Sequence, residues 1–181
     1  MISLKSQVTI RILDYYYLNP SARHYINELA RILKLDPKNL HRKLNELEKE
    51  GILKSDFAGK ERYYYLNGKS RVAKAYKDLF LQTVGLPEQL KKLIKSVNGT
   101  EQAYIFGSYA KNTMSAGSDI DLLVVGNHSV LDLQKELNQL QKWIGREINA
   151  VNLTKKELKR KEKNNDPFIS NIFSNKHLKL L

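Results

Sequence analysis

The sequence predicts an α+β architecture in two parts: a helical first half closed by a hairpin, and a second half in which short strands and helices alternate around a small mixed sheet. Three observations lead there. Apolar residues recur at helical spacing up to Gly51, and two strand-like runs then flank Ala58-Gly59-Lys60. Beyond residue 98 the apolar residues gather into short runs at 103–106, 120–125 and 148–153. The first of these runs ends in Gly107-Ser108, and after ten intervening residues Asp119-Ile120-Asp121 opens the second.

Ile10, Leu13, Tyr17 and Leu18 mark a first helix that stops at Asn19-Pro20. Ile26, Leu29, Ala30 and Leu33 form one face of a second helix over 25–33. Asp36-Pro37 is a start signal, an acidic N-cap before a proline at the first helical position. Leu40, Leu44 and Leu47 stripe this third helix, and Gly51 ends it. Strands are expected at 52–57 and 62–66, with Tyr64 facing the opposite way from Tyr63 and Tyr65, so that the tyrosine triplet packs the hairpin.

Residues 69–97 read as two connecting helices, broken at Gly85-Leu86-Pro87 and closed by Asn98-Gly99. A helix over 131–143 follows the second strand, and Thr154 with Glu157 forms a capping box for a basic helix rich in lysine. Phe168, Ile169, Ile172 and Phe173 are expected to dock on the core, as is Trp143.

The net charge is +12, spread as +7 over residues 1–85 and +5 over 86–181, which suits a polyanionic partner such as nucleic acid or nucleotide phosphate. The absence of cysteine excludes disulfides, thiolate zinc sites and thiol nucleophiles. His24, His41, His128 and His177 share no metal-ligand spacing. No apolar run approaches the roughly 18 residues that span a bilayer, and the amino terminus lacks a signal-peptide pattern. The expectation is a cytoplasmic protein with no membrane partner.

Two carboxylates two apart on a strand project from one face, close enough to share divalent cations. A Gly-Ser turn leaving a neighbouring strand can offer backbone N–H groups to phosphate, particularly where a helix begins. Asp119, Asp121, Gly107 and Ser108 thus compose the parts of a magnesium–nucleotide site.

Two resemblances follow from these motifs. The three helices and hairpin over about residues 4–67 resemble the winged helix-turn-helix family, carried by the stretches 24–30 and 39–53. That likeness implies a DNA-binding domain at 1–68, with Lys38, Asn39, His41, Arg42 and Lys43 on the recognition helix and Lys60 and Arg62 on the wing. It also brings a homodimer by analogy. The region 101–125 resembles the polymerase-beta-like nucleotidyltransferases, in particular their minimal stand-alone branch. This implies a nucleotidyltransferase-like domain at 98–181, joined to the first by the helices at 69–97.

By that second resemblance Asp119 and Asp121 hold Mg2+ (or Mn2+), and Gly107 and Ser108 bind the triphosphate of an NTP, expected to be ATP. Ser118 orients Asp119, and Lys111 approaches phosphate. The family's third acid belongs on a later strand, where this sequence has Asn149; Glu147, two residues earlier on the same face, is the candidate substitute. The implied reaction moves an NMP to a macromolecular acceptor, which in the minimal branch includes a partner toxin protein. The alternative is a DNA-binding transcriptional regulator whose second domain only senses nucleotide; a third reading has the winged helix gripping tRNA or another nucleic acid.

Overall fold

The structure, a computed structural model, describes residues 4–115 and 117–181. The chain divides into two compact units, Met1–Leu86 and Pro87–Leu181.

In the first unit, Ser6 caps α1 (Gln7–Leu18) by accepting a hydrogen bond from the Thr9 amide. Helix α2 (Ile26–Leu33) ends at Lys34 in the left-handed conformation. Helix α3 (Pro37–Lys49) starts as the sequence signals, with the Asp36 carboxylate accepting from the Asn39 amide at 2.9 Å. Strands β2 (Leu53–Ala58) and β3 (Glu61–Leu66) pair antiparallel through the tight turn at Gly59-Lys60, where Gly59 takes φ +61°. One strand escapes the sequence pattern: β1 (Arg23–Tyr25) pairs antiparallel with β3, giving the order β1-β3-β2. Three residues are too few to display alternation, so Tyr25 reads from sequence as the start of a helix.

The three helices and the sheet enclose one core. Leu13, Tyr16, Leu29, Leu40, Leu44, Leu47 and Tyr64 are all fully buried. The Tyr16 hydroxyl donates to the Tyr64 carbonyl at 2.8 Å, which satisfies a polar group that burial would otherwise penalise. Residues 69–97 divide between the units. Helix α4 (Arg71–Thr83), capped by Ser70, sends Phe80 into the first core. Helix α5 (Leu86–Ser96) runs into the second unit.

The second unit is a four-stranded mixed sheet of order β6-β5-β4-β7. Strand β4 (Thr100–Phe106) pairs antiparallel with β5 (Ile120–Gly126) and with the short β7 (Leu178–Lys179), which the sequence pattern also misses. Strand β6 (Ile148–Leu153) runs parallel to β5, and α7 (Val130–Ile144) makes the crossover between them. Between β4 and β5 lies the short α6 (Gly107–Lys111). After β6 come α8 (Lys155–Lys163), with the expected Thr154–Glu157 capping box, and α9 (Pro167–Ser174).

Alternation along the strands places the site. Tyr104 on β4, Leu123 and Val125 on β5, and Val151 and Leu153 on β6 share one face and pack with Leu158, Ile169 and Ile172. Two residues earlier on β5 and β6, the same face carries Asp121 and Asn149 instead. Phe168 departs from expectation: it is 42% exposed, with its ring edge-on to Phe106 at 5.7 Å, while Ile169 and Ile172 fill the core. The reason is positional, because α9 buries a stripe at 169 and 172 and leaves 168 on its margin. Trp143 is half-buried.

Candidate functional site

One row of residues crosses the sheet at the end where β4 stops and β5 and β6 begin. Phe106 pairs with Asp121 in the antiparallel register, and Asp121 pairs with Asn149 in the parallel one. Asp119 sits just before β5, half-buried like Asp121.

Gly107 follows Phe106 directly and opens α6 with φ +70°, a conformation glycine adopts at no steric cost. Any side chain at this position would overlap the Asp121 carboxylate. The Gly-Ser turn and the acidic pair therefore meet: the missing Cβ is what lets the backbone of residue 107 lie against Asp121. Ser108 is half-buried, and its carbonyl accepts from the Thr113 amide at 3.0 Å, which folds the chain after α6 back on itself. Lys111 is exposed at the carboxy-terminal end of α6.

The electrostatics are those of an uncompensated acidic pair. Burial pushes the Asp121 carboxyl above the usual carboxylate range, and the neighbouring charge of Asp119 pushes it further. Asn149 offers partial relief, donating from Nδ2 to Asp119 Oδ2 at 3.2 Å. Among the described residues no group of three His, Cys, Asp or Glu side chains is placed to hold a metal ion. Glu147 is exposed just ahead of β6, and its carbonyl accepts from the Ile120 amide at 2.9 Å. The group beside the acidic pair is Asn149. Rotation of its amide would exchange the donor for a carbonyl oxygen, giving two carboxylates and one neutral oxygen. That donor set fits a hard divalent cation.

Ser118 acts on the loop before the pair. Its Oγ accepts from the Ser115 amide at 2.9 Å and lies 2.9 Å from Ser115 Oγ; Ala116, within that loop, is outside the described residues. Sequence reasoning missed the residue that fastens this loop. Arg146 is 8% exposed, and its Nη1 donates to the carbonyls of Ser118 at 2.7 Å and Ser115 at 3.1 Å. These bonds tie the carbonyls of Ser115 and Ser118, ahead of Asp119, to the residue that precedes Glu147 and β6. A lone arginine after Gly145, at the mouth of a strand, carries no pattern that would single it out.

The residues expected on a DNA-binding face lie in the first unit. Lys38, Asn39, His41 and Arg42 are exposed along the first turns of α3, and Lys60 is exposed at the hairpin turn. His41 Nε2 lies 3.0 Å from Asn45 Nδ2. Two of the predicted cations are engaged internally. Lys43 bonds Glu46 at 2.6 Å with its side chain 16% exposed, and Arg62 bonds Glu48 and donates to Ser55 Oγ at 2.8 Å.

The profile of the nucleotidyltransferase domain family matches residues 87–179, slightly more than half of the chain. The chain belongs to the nucleotidyltransferase domain family. The match covers the whole row of site residues and the loop that Arg146 holds. A protein of Methanocaldococcus jannaschii, named as a candidate protein adenylyltransferase, is 39% identical over 56 residues. Those residues are 30% of this chain and 60% of that relative's length. Among solved structures, a toxin–antitoxin pair with AMP-PNP aligns at a TM-score of 0.40 and 17% identity, covering 52% of this chain and 72% of that one. A nucleotidyltransferase candidate from Sulfolobus solfataricus aligns at 0.31 and 26%, covering 51% and 83%. Among the described residues, no helix is long and apolar enough to cross a membrane.

Proposed function

We propose that this chain transfers an NMP from an NTP, ATP first among them, to a macromolecular acceptor in a magnesium- or manganese-dependent reaction. Its first unit is read as a winged helix-turn-helix that binds duplex DNA. The observation that carries the transfer reading is the contact between Gly107 and Asp121, which brings the phosphate-binding turn against the acidic pair. The name of the relative from Methanocaldococcus jannaschii, a candidate protein adenylyltransferase, supports a protein as the leading acceptor, and the toxin-like partner expected from the sequence is one form of it.

Asp119, Asp121 and the Asn149 carbonyl would hold the cation, which when bound supplies positive charge to neutralise the triphosphate and polarise the reacting phosphorus. The rest is positioning. Gly107 and Ser108 present backbone N–H groups on the side where phosphate must lie, with Lys111 as a further cation for it. Arg146 and Ser118 fix the loop that delivers Asp119. Phe168, exposed beside Phe106, offers a ring edge or face to the nucleobase. Such a site needs orientation and charge rather than covalent catalysis. The test is incubation with ATP labelled on the α-phosphate, with and without magnesium. Metal-dependent label on a polypeptide supports the reading, and its absence from every polypeptide and nucleic acid offered opposes it.

One observation favours a second reading, a DNA-binding regulator that only senses nucleotide. The residue beside Asp119 is the amide of Asn149, which has neither charge nor useful basicity. Asn149→Asp separates the two. A working transferase limited by that missing carboxylate gains rate, by about tenfold or more, as expected where a positioned base is restored. A pure sensor gains nothing.

The DNA face has its own check. Arg42→Ala, at an exposed position of α3, should weaken duplex binding and reduce the slope of log affinity against log salt by about 1. Arg62→Ala should leave that slope unchanged and destabilise the hairpin instead, because its guanidinium is held by Glu48 and Ser55. Fluorescence anisotropy across a salt series measures both.

A further inference from the structure

Strand β6 is an edge of the four-stranded sheet. The amide of Ile120 bonds the Glu147 carbonyl, so in this parallel register the backbone groups of Glu147, Asn149 and Val151 turn toward β5. Those of Ile148, Ala150 and Asn152 turn away from it. Side-chain amides occupy two of these outward groups. Gln141 Oε1 accepts from the Ile148 amide at 2.6 Å, and Asn152 Nδ2 donates to the Ala150 carbonyl at 3.3 Å. By the same alternation the Ala150 amide points away from β5.

Alongside this edge runs a groove of about 750 Å³ between α7 and β6. On the helix side it is lined by carboxamides at i, i+4 and i+7: Gln134, Asn138 and Gln141. Asn138 Oδ1 accepts from both Gln134 Nε2 (3.0 Å) and Gln141 Nε2 (2.9 Å). This leaves the Asn138 Nδ2 donor and the Gln134 Oε1 acceptor without partners among the described residues. At the other end the groove reaches Asn149, the residue bonded to Asp119.

We propose that the β6 edge is the acceptor-docking site of the transferase, and that its occupant is an extended polypeptide segment added to the sheet beside β6. The proposal rests on the transfer reaction proposed above and names the acceptor it takes. The chemistry of the lining selects the occupant. An added strand presents backbone donors and acceptors every second residue, about 6.6 Å apart, the interval of Ile148, Ala150 and Asn152; it would meet the Ala150 amide directly and exchange the Gln141 and Asn152 side-chain bonds at Ile148 and Ala150 for backbone ones. Phosphodiester chains find little here. Of the lining cations, Arg146 is turned to the Ser115 and Ser118 carbonyls, and the charge of Lys142 is offset by that of Glu147.

A segment laid along β6 brings its side chains to the Asn149 end of the groove. There a Tyr, Ser or Thr hydroxyl oxygen forms a bond to the α-phosphorus of the NTP. The bond from that phosphorus to the α–β bridging oxygen breaks, pyrophosphate leaves with the bonding pair, and the hydroxyl proton passes to solvent. The products are a nucleotidylated polypeptide and pyrophosphate.

The test uses the full chain, ¹⁵N-labelled, and two probes: a degenerate nonapeptide library with a fixed central Tyr, Ser or Thr, and a degenerate RNA nonamer library. The expected result is a peptide-dependent shift of the Ala150 and Asn152 backbone amides and of the Asn138 side-chain amide, with the RNA leaving them in place. Ala150→Pro deletes an N–H that β5 does not use, so an edge strand tolerates it while an added strand loses a partner. This variant should lose the peptide shifts and transfer label to the peptides at least tenfold more slowly, with nucleotide affinity within twofold of the parent chain. Should it fail to fold, Asn138→Leu on the exposed margin of α7 takes its place with the same expectation. Unmoved amides, shifts caused by RNA instead, or full transfer by the variants would overturn the docking site. The peptide shifts are read without nucleotide, so a failure of magnesium–ATP binding would sink the transferase reading separately.

Discussion

Replacing Asp119 and Asp121 together with alanine is expected to lower metal-dependent transfer of labelled NMP by a factor of about 10³ or more, the scale on which electrostatic preorganisation contributes in such sites. The second unit should still fold. Both side chains lie at the end of the sheet, outside the core that Leu123, Val125, Ile169 and Ile172 form further along the same face. Removing them also relieves the burial of a charge and, beyond it, the mutual repulsion that together raise the Asp121 carboxyl. The double variant is therefore expected to match the parent chain in circular dichroism and to melt no earlier, while label incorporation falls to background. Retained incorporation would place the chemistry elsewhere.

Gly107→Ala is the second large effect, and it acts through the backbone. A left-handed φ of +70° costs a residue with a Cβ about 1–2 kcal/mol. The methyl group would also overlap the Asp121 carboxylate, adding roughly 1–3 kcal/mol of overpacking. Relief can come in two ways: Asp121 swings off the row, or α6 lifts away from β5. Either separates the turn from the acidic pair, so transfer should fall by at least about 10² for a displacement on the order of 1 Å. Thermal melting and the labelling assay measure the two consequences. Gly59→Ala is the matched control, since Gly59 has a similar positive φ but open space where its Cβ would go. It should cost only the backbone part and leave transfer intact.

Much of the fold was legible because strong local signals agree with the tertiary contacts. Asp36-Pro37 starts α3, Gly51 follows its end, and Thr154 with Glu157 boxes α8, each by a hydrogen bond that involves neighbouring residues alone. The apolar runs that became β4 and β5 are buried on both faces over 103–105 and 122–126, which leaves short continuous stretches of hydrophobic residues, whereas the edge strand β6 buries only Ile148. Strands β1 and β7 stayed invisible for the opposite reason. They have three and two residues, and long-range pairing with β3 and β4 makes them strands.

The site divides along the same line. Gly107, Ser108, Asp119 and Asp121 announce themselves through spacing, because a turn and two same-face carboxylates need fixed positions in the chain. Arg146 and Phe168 do not. Arg146 matters through the carbonyls of residues about thirty positions away, and Phe168 through a ring at Phe106. The engagement of Lys43 and Arg62 was equally hidden. Exposed cations on α3 and the hairpin look alike in sequence until the positions of Glu46 and Glu48 are known.

Isothermal titration of the full chain with a non-hydrolysable ATP analogue, in magnesium and again in excess chelator, tests the central claim most directly. The account predicts saturable binding that requires magnesium and is lost in the Asp119→Ala/Asp121→Ala chain. Equal binding with and without the metal, or equal binding by the double variant, would contradict it.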